Sequence, residues 1–238
     1  MRGPDCFELS ENCRKCPFRR DGFFCQSDSA ALRDFDALNS LAAYPADALL
    51  FMENEPSRGV FVLCHGEIKL SMCSRDGKTL ILRIAKPGEA LGLAAAISGA
   101  PYEVTAETLR PSQVAFIRRT DFLKFIRHHP NVYPKIARHV TSSYEGACDR
   151  LRVMGLASIH QKLARILLDW SEKLGEGDKS GLRITLALTH GEIGELIGST
   201  RESVTRVLSD FKRSRLITVH GTAVTIHDRK CMEEMAVS

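Results

Sequence analysis

The stretch from residue 189 to residue 208 constrains the fold more than any other part of the chain. It predicts two short helices that meet at a glycine, and each begins with a Ser/Thr-x-x-Glu capping box. The boxes are formed by Thr189 with Glu192 and by Ser199 with Glu202. Helical spacing places the apolar residues of the second helix on one face, at Val204, Val207, Leu208 and Phe211.

The opposite face of this second helix is polar. It carries Arg201, Glu202, Thr205, Arg206 and Ser209. Such side chains on the first turns of a rigid helix can place donors and acceptors against base edges in a major groove. Five basic and two acidic residues lie between positions 201 and 215, a balance that suits a phosphate backbone. An ordinary solvated hairpin is the alternative, and the combined pattern favours a DNA-reading helix.

The composition is typical of a globular protein with two domains. The chain has 238 residues, of which 44% are hydrophobic and 26% charged. Its net charge of +4 is mild, so affinity for nucleic acid has to come from a local basic face. No hydrophobic run approaches membrane-spanning length and the polar start lacks a signal-peptide core, so we expect a cytoplasmic protein with no membrane partner. In that compartment the eight cysteines are expected to be ligands, sensors or buried side chains.

The first half of the chain predicts a cysteine-rich segment (1–30) followed by a strand-rich domain (31–120). A short helix is expected at about 31–42, with Leu41 on its apolar side. Further on, Ile68, Leu70 and Met72 alternate with polar residues, and Asp76-Gly77 predicts a hairpin with a type I′ turn. Many short strands with regular turns are typical of a sandwich or β-roll.

The second half predicts a long helical region (121–156) and a winged helix-turn-helix domain (157–238). In the long helix a stripe recurs every three or four residues, at Ile136, Val140, Tyr144, Ala147, Leu151 and Met154. A stripe of this length favours a partner helix, although packing on the chain's own strands is the alternative. A further amphipathic helix at 159–174, a strand at 182–188 and a β-hairpin after residue 216 complete the wing.

This order of elements resembles the CRP/FNR family of bacterial transcription regulators over about residues 30–230. The resemblance is carried by Gly66-Glu67, Gly77, Pro87-Gly88-Glu89 with Gly92, Glu192-Ile193-Gly194 and the run from Arg201 to Arg206. It implies an α+β fold with an N-terminal β-roll (jelly-roll) sensor domain, a long dimerisation helix and a C-terminal winged helix-turn-helix. It also implies a homodimer that binds a palindromic operator in double-stranded DNA, with RNA polymerase as a further partner.

The resemblance also implies residue roles at the recognition helix. Arg201 and Arg206 would each bind a guanine, Glu202 would accept from a cytosine amino group, and Thr205 would face the bases. Phosphate contacts would come from Thr189, Thr200 and Ser203. Family members with Arg-Glu-x-x-x-Arg at this helix start read TGTGA-like half-sites, so we expect that operator type.

The same resemblance argues against cyclic AMP as the effector. Receptors for cyclic AMP hold the phosphate with an Arg-Ser pair and the ribose with a glutamate. The matching positions here are Ala100 with Pro101, and Leu93. A phosphate buried beside these side chains would keep its charge uncompensated.

Four of the cysteines, Cys6, Cys13, Cys16 and Cys25, lie in the first 25 residues with the spacing C-x6-C-x2-C-x8-C. Four thiolates in one short segment can enclose one metal centre, and a structural zinc, a redox disulfide pair and chance are the competing explanations. The resemblance to FNR-type sensors favours a 4Fe-4S cluster over zinc. Those proteins take one ligand from the β-roll, where this chain has Ala115, so Cys6 is the expected fourth ligand.

An intact cluster is expected to order residues 1–30 against the roll and the start of the long helix, favouring the dimer. In FNR-type proteins an acidic residue in that helix opposes dimerisation without the cluster, and Asp149 takes its position, with Gly146 and Val153 as a second possible seam. The signal could be oxygen, nitric oxide or redox state. One alternative is a regulator with a structural zinc at the N-terminus and either a small-molecule effector or a haem held by Cys64-His65 and Cys73. Another is an iron–sulfur redox enzyme or electron carrier. No motif of an enzyme is present.

Overall fold

A computed structural model describes residues 23–24, 29–174, 176–178, 181–185, 188–221 and 223–237. The four cysteines predicted to bind a metal centre, Cys6, Cys13, Cys16 and Cys25, lie outside the described residues. The chain forms two compact units, Met1–Gly146 and Ala147–Ser238, and the division falls inside the long helix. No helix in the described ranges combines the length and apolarity that crossing a membrane requires.

The first unit is an antiparallel β-roll with flanking helices. It begins with α1 (Ser29–Leu38), β1 (Ser40–Tyr44), β2 (Leu49–Phe51), β3 (Gly59–His65), β4 (Ile68–Cys73), β5 (Thr79–Ala85) and β6 (Ala90–Leu91). It continues with α2 (Leu93–Ser98), β7 (Thr105–Thr108), β8 (Ser112–Arg118), α3 (Arg119–His128), a 3-10 turn (Pro130–Val132) and the first half of α4 (Tyr133–Leu156). The strands form two sheets, ordered β1-β8-β3-β6 and β2-β7-β4-β5. The predicted β-roll is confirmed.

Two hydrophobic clusters hold this unit together. One packs the helices α1, α3 and the start of α4 on the first sheet and includes Phe24, Phe35, Phe122 and Ile136. The other fills the space between the two sheets around residues such as Phe51 and Tyr102, whose rings stack at 4.1 Å between centroids. The first cluster matters for function because it joins the segment that contains Phe24 to the long helix.

Helix α1 ends earlier than the predicted 42, at Leu38. The backbone amide of Asn39 donates to the carbonyl of Phe35 at 3.1 Å, and its side-chain amide donates to the same oxygen at 2.9 Å. Because these bonds cap the helix, the chain continues as strand β1, where Leu41 pairs with Ala115. Pairing in the sheet thus overrides the helical spacing of Leu41.

The predicted type I′ turn at Asp76-Gly77 is wrong. Only Gly77 has a positive φ, of 77°, and its amide donates to the carbonyl of Ser74 at 3.0 Å. The hairpin therefore uses a longer loop, closed by the amide of Ser74 donating to the carbonyl of Lys78 at 2.9 Å. A three-residue loop with one residue in the left-handed region is the next most common hairpin connection after the two-residue turns.

The expected alternation along β4 holds only for its first half. Pairing with β5 shifts register between Leu70 and Ser71. As a result Ser71 is buried, whereas Met72, expected on the apolar face, is exposed. A β-bulge reverses which side each following residue faces, and the alternation of residue types in the sequence gives no sign of it.

The second unit contains the end of α4, α5 (Ile159–Leu174), β9 (Glu176–Asp178), β10 (Gly181–Thr185), α6 (His190–Ile197), α7 (Arg201–Arg213), β11 (Ile217–His220), β12 (Ala223–Ile226) and α8 (Arg229–Val237). Its strands form one sheet in the order β11-β12-β10-β9. The long helix and the winged helix-turn-helix predicted for this half are confirmed, and α5 has the predicted bounds.

Candidate nucleic-acid interface

The first helix of the helix-turn-helix, α6, begins with the predicted capping box. The side chain of Thr189 accepts from the amide of Glu192 at 3.2 Å, and the carboxylate of Glu192 accepts from the amide of Thr189 at 2.9 Å. Ile193, Leu196 and Ile197 are buried along one face. The start of α6 is therefore held by local bonds while its apolar face packs into the unit.

The turn between α6 and α7 depends on two glycines. Gly198 ends α6 with a φ of 61°, a conformation that other residues adopt with strain. A Cβ atom on Gly194 would lie 2.9 Å from the carbonyl oxygen of Ser199, so α6 and the turn can approach this closely only at a glycine. The amide of Ser199 uses that approach to donate to the carbonyl of Gly194 at 2.8 Å.

Helix α7 starts one residue later than the predicted capping box implied. Thr200 is the cap, and its hydroxyl accepts from the amide of Ser203 at 3.2 Å; the predicted Ser199–Glu202 box is wrong. The nearby backbone amide of Glu202 and the Thr200 hydroxyl instead lower the pKa of the exposed Glu202 carboxylate. Thr200 and Ser199 both suit a cap, and the tight turn after Gly198 decides between them.

The two faces of α7 separate as predicted. Val204, Val207, Leu208 and Phe211 are all buried, and the last is 2% exposed. On the other face Arg201, Glu202, Thr205 and Arg206 are exposed, and Ser203 is half-buried. Within the described part of the chain neither Arg201 nor Arg206 forms an ion pair, and both side chains are accessible to a ligand. The helix is anchored by its apolar side and presents charge on the other.

One polar contact joins the two helices across the turn and was not anticipated. The ring nitrogen Nδ1 of His190 lies 3.1 Å from the hydroxyl of Thr205, which itself donates to the carbonyl of Arg201 at 2.9 Å. With its own proton committed to Arg201, the Thr205 oxygen accepts from His190. The methyl group of Thr205 and one remaining lone pair stay available to a ligand. These residues are 15 positions apart, and no periodicity links them in the sequence.

The wing adds exposed polar groups beside α7. Strands β11 and β12 pair in antiparallel register, and the Nε2 atom of His227 lies 3.1 Å from the hydroxyl of Thr218. The α7 C-terminus carries Lys212 and Arg213, both exposed, and Arg213 is paired with Asp210. The interface thus combines an exposed polar patch on the first turns of α7 with basic residues at the C-terminal end of the same helix.

The predicted dimerisation stripe on α4 divides into two parts. Ile136 is 7% exposed and packs in the core of its own roll. Beyond it the stripe is open to solvent: Val140 is 42%, Tyr144 69% and Leu151 72% exposed. Ala147 is exposed too, Met154 is half-buried, and Asp149 is exposed and paired with Arg152 at 2.6 Å. A helix of 24 residues with a single buried residue does not bury its apolar stripe within the described part of its own protomer.

Comparisons with known proteins agree with this architecture. A Crp-like helix-turn-helix domain matches residues 161–235, and a cyclic nucleotide-binding domain matches residues 41–129. The transcriptional activatory protein AadR of Rhodopseudomonas palustris is 26% identical over 205 residues, covering 86% of this chain and 84% of that protein. The nitrogen fixation regulation protein FixK of Bradyrhizobium diazoefficiens is 24% identical over 226 residues, covering 95% and 94%.

A solved structure of similar fold is FixK2 from Bradyrhizobium japonicum, with a TM-score of 0.73 and 21% identity over 84% of this chain and 98% of that one. Together the roll, the long helix and the helix-turn-helix define a DNA-binding transcription regulator, and its relatives are regulators rather than enzymes. The chain belongs to the CRP/FNR family, whose members bind DNA and act as dimers.

Proposed function

We propose that this regulator binds a palindromic, TGTGA-like operator as a homodimer and responds to oxygen, nitric oxide or redox state through a 4Fe-4S cluster on Cys6, Cys13, Cys16 and Cys25. On the operator it would act together with RNA polymerase. The observation that carries the DNA-reading part is the exposed face of α7, where Arg201, Glu202 and Arg206 surround the capped start of a helix whose other face is buried.

The base contacts follow from the donor pattern of that face. A guanidinium group can bind O6 and N7 of guanine with two bonds, and the ionised carboxylate of Glu202 can accept from a cytosine amino group. The methyl group of Thr205 suits a thymine methyl, because the hydroxyl of Thr205 is engaged by His190 and Arg201. This set of three base types is compatible with a TGTGA half-site.

The phosphate contacts would be made at the starts of α6 and α7. Thr189 and Thr200 cap these helices, and Ser203 lies one turn into α7. The hydroxyl of Thr200 donates to the hydroxyl of Ser203 at 3.2 Å. To donate to a phosphate instead, it would have to rotate away from Ser203 when DNA binds. The amides of the first turns and the helix dipoles favour an anion at both positions.

The case for a metal centre in the N-terminal segment combines its donor set with its attachment to the roll. Four thiolates suit iron–sulfur clusters and zinc alike. Among the described residues no group of three or more His, Cys, Asp or Glu side chains could hold a metal ion. Ala115, at the position of the β-roll ligand in FNR-type proteins, is fully buried in the core. Both observations support a ligand set confined to the N-terminal cysteines.

The residues just before Cys25 are tied to the parts of the fold that a signal has to reach. The amide of Phe23 donates to the carbonyl of Gly88 at 2.8 Å, and its ring meets the ring of His139 on α4 at 5.1 Å. Phe24 is 1% exposed and stacks on Phe35 at 4.4 Å. When bound, the cluster would supply a centre that reacts with oxygen or nitric oxide. The anchored phenylalanines would pass the ordering of the segment on to α4.

The dimerisation part of the proposal places Val140, Tyr144, Ala147, Leu151 and Met154 at the seam. Their spacing of four, three, four and three residues is that of a coiled coil. Asp149 lies two residues before Leu151 and therefore on the other side of α4, the side of the second seam with Gly146 and Val153. If the partner helix packed on that side, the charge of Asp149 would oppose pairing when the segment is disordered.

We further propose that the roll takes no cyclic nucleotide. Leu93 is 3% exposed and belongs to the core, and Ala100 and Pro101 offer no charged group to a phosphate. A titration with cyclic AMP followed by calorimetry is expected to show no binding, and saturable binding would contradict this point.

The cofactor is tested on full-length protein purified without air. A brown protein with about four iron and four sulfide per chain is expected. Cys13→Ser with Cys16→Ser should lose both the colour and the iron. Cys73→Ser, which changes an exposed cysteine of the roll, is the matched control and should retain them. A colourless protein with one zinc per chain would contradict the iron–sulfur cluster and favour a regulator with a structural zinc in its N-terminal segment.

The response is tested by operator binding before and after exposure to air. Air should weaken binding of the wild-type protein by at least about tenfold, since an allosteric coupling of this size is common. It should leave the doubly substituted protein unaffected. Equal binding by both proteins in both conditions would show that the cysteine segment does not control the DNA interface.

A further inference from the structure

Two cationic side chains attach the last turns of α4 to the helix-turn-helix. Arg150 lies on α4, and its guanidinium donates to the carbonyl of Leu196 at the C-terminal end of α6. Lys162 lies on α5, and its ammonium donates to the carbonyl of Met154 in the last turn of α4 at 2.9 Å. All four residues belong to the second unit, so this joint lies within a single body.

The linker between α4 and α5 is short, and this restricts how far the two helices can move relative to each other. Only Ala157 and Ser158 separate the two helices. The amide of Ala157 continues the bonding of α4 by donating to the carbonyl of Val153 at 3.1 Å. Ser158 caps α5, since its hydroxyl accepts from the amide of Gln161 at 3.3 Å. Lys162 therefore bridges a short connection that is itself hydrogen-bonded, and Arg150 joins the same end of α4 to α6.

Burial of these charges is unusual and has a cost. Lys162 is only 9% exposed, and lysine is among the residues least often buried. Desolvation by burial lowers the pKa of Arg150, which shows that its charged form is penalised. Both groups are offset by carbonyls at helix C-termini, where the partial charge is negative. Apolar residues would fill the same space without desolvation, but they would not select one direction between the helices.

We propose that Arg150 and Lys162 are positioning residues that fix the direction of α6 and α7 relative to the end of α4. In a dimer this direction sets the distance between the two recognition helices, which have to enter grooves about 34 Å apart. The inference rests on operator reading by the dimer and does not depend on the cysteine segment.

The test measures discrimination between half-site spacings. Wild-type full-length protein first selects its operator from a pool of random duplexes. The selected duplex is then remade with one or two base pairs added to or removed from its centre, and dissociation constants are measured by fluorescence anisotropy. Arg150→Met should weaken binding at the selected spacing by about tenfold, the effect of one charge-assisted hydrogen bond. Binding to the altered spacings should change little, so the preference collapses.

The matched control is Arg165→Met, which removes the same charge from an exposed side chain of α5. It should retain the wild-type preference. Lys162→Met tests the joint from α5 and should reduce the preference as Arg150→Met does. Thermal melting and sedimentation confirm that each variant is folded and dimeric.

Uniform weakening at every spacing, with the preference intact, would show that these side chains only stabilise the unit, and the inference would be overturned. An unchanged preference in both variants would do the same. A selected operator without TGTGA half-sites would contradict the proposed base contacts of Arg201 and Arg206. The spacing test would still hold, because it uses whichever duplex the protein selects.

Discussion

The recognition helix α7 and the long helix α4 have opposite relations to the rest of their chain. Four residues of α7 are buried over 13 residues, and its polar face is left for a ligand. In contrast, α4 buries one residue over 24 and exposes an apolar stripe. The first helix is complete within the protomer and lacks only DNA. In the dimer that we propose, the second is completed by the α4 helix of the other protomer, so dimerisation would contribute to its stability as well as to function.

The largest effect is expected where α7 joins the core. Phe211→Ala should lower the free energy of unfolding of the second unit by about 3–5 kcal/mol, because it leaves a cavity beneath the helix. Ser209→Ala, on the exposed face, should change it by less than about 0.5 kcal/mol. Thermal or denaturant unfolding measures both. Similar losses in the two variants would show that α7 is not anchored through its apolar face.

The opposite test applies to α4. Leu151→Glu should leave each protomer folded but weaken the dimer by about 2–4 kcal/mol, since a carboxylate would be buried at the seam. Sedimentation equilibrium measures the dissociation constant. Arg138→Glu changes an exposed residue on the opposite side of α4 and should leave the dimer intact. A dimer that tolerates Leu151→Glu would move the seam to the face of Gly146 and Val153.

Reading by α7 is tested through specificity. Arg206→Ala should cost about 1–3 kcal/mol of operator affinity and relax the preference at one base position. Lys212→Ala, at the end of the helix, should weaken all sequences alike through a lost phosphate contact. Binding to a set of single-base operator variants separates the two effects. If Arg206→Ala retained the full preference, its assignment as a base contact would be wrong.

A smaller effect distinguishes the two cap candidates of α7. Thr200→Ala should lower stability by about 1 kcal/mol, because its hydroxyl caps the helix. Ser199→Ala should have little effect. Thermal melting of the two variants makes a direct comparison, and a larger loss for Ser199→Ala would restore the capping box with Glu202.

The smallest effect is a pH dependence at the start of α4. Burial and the neighbouring Arg83 lower the pKa of His139 in the folded state. The unfolded chain therefore binds a proton that the folded chain resists, so stability is full above the unfolded pKa of about 6.5 and falls as the pH drops below it. His139→Gln should remove this part of the slope between pH 7.5 and 5.5. Identical slopes in melting experiments would show that His139 does not contribute.

Local sequence patterns predicted the structure correctly where an element is determined by residues within a few positions of one another. The apolar face of α7, the capping box at Thr189 and the bounds of α5 were all predicted, because helical spacing and caps act within a few residues. Membership of the regulator class followed from these elements and their order.

Predictions were wrong where the local sequence is equally compatible with two structures. Ser199 and Thr200 can both cap a helix, and the close approach of Gly194 to the turn selects Thr200. Leu41 fits a helical stripe, yet pairing with β8 draws it into a strand. The contact between His190 and Thr205 could not be predicted, because it depends on how α6 and α7 cross.

The amino-acid sequence alone therefore determined the element order, the two faces of the recognition helix and the clustering of cysteines, since these depend on residue type and spacing. Only the tertiary structure decided the register at the Leu70–Ser71 bulge, the role of Ile136 in its own roll, and the joint made by Arg150 and Lys162. Those features depend on contacts between residues distant in the chain, whose free energies outweigh the small local preferences of each segment.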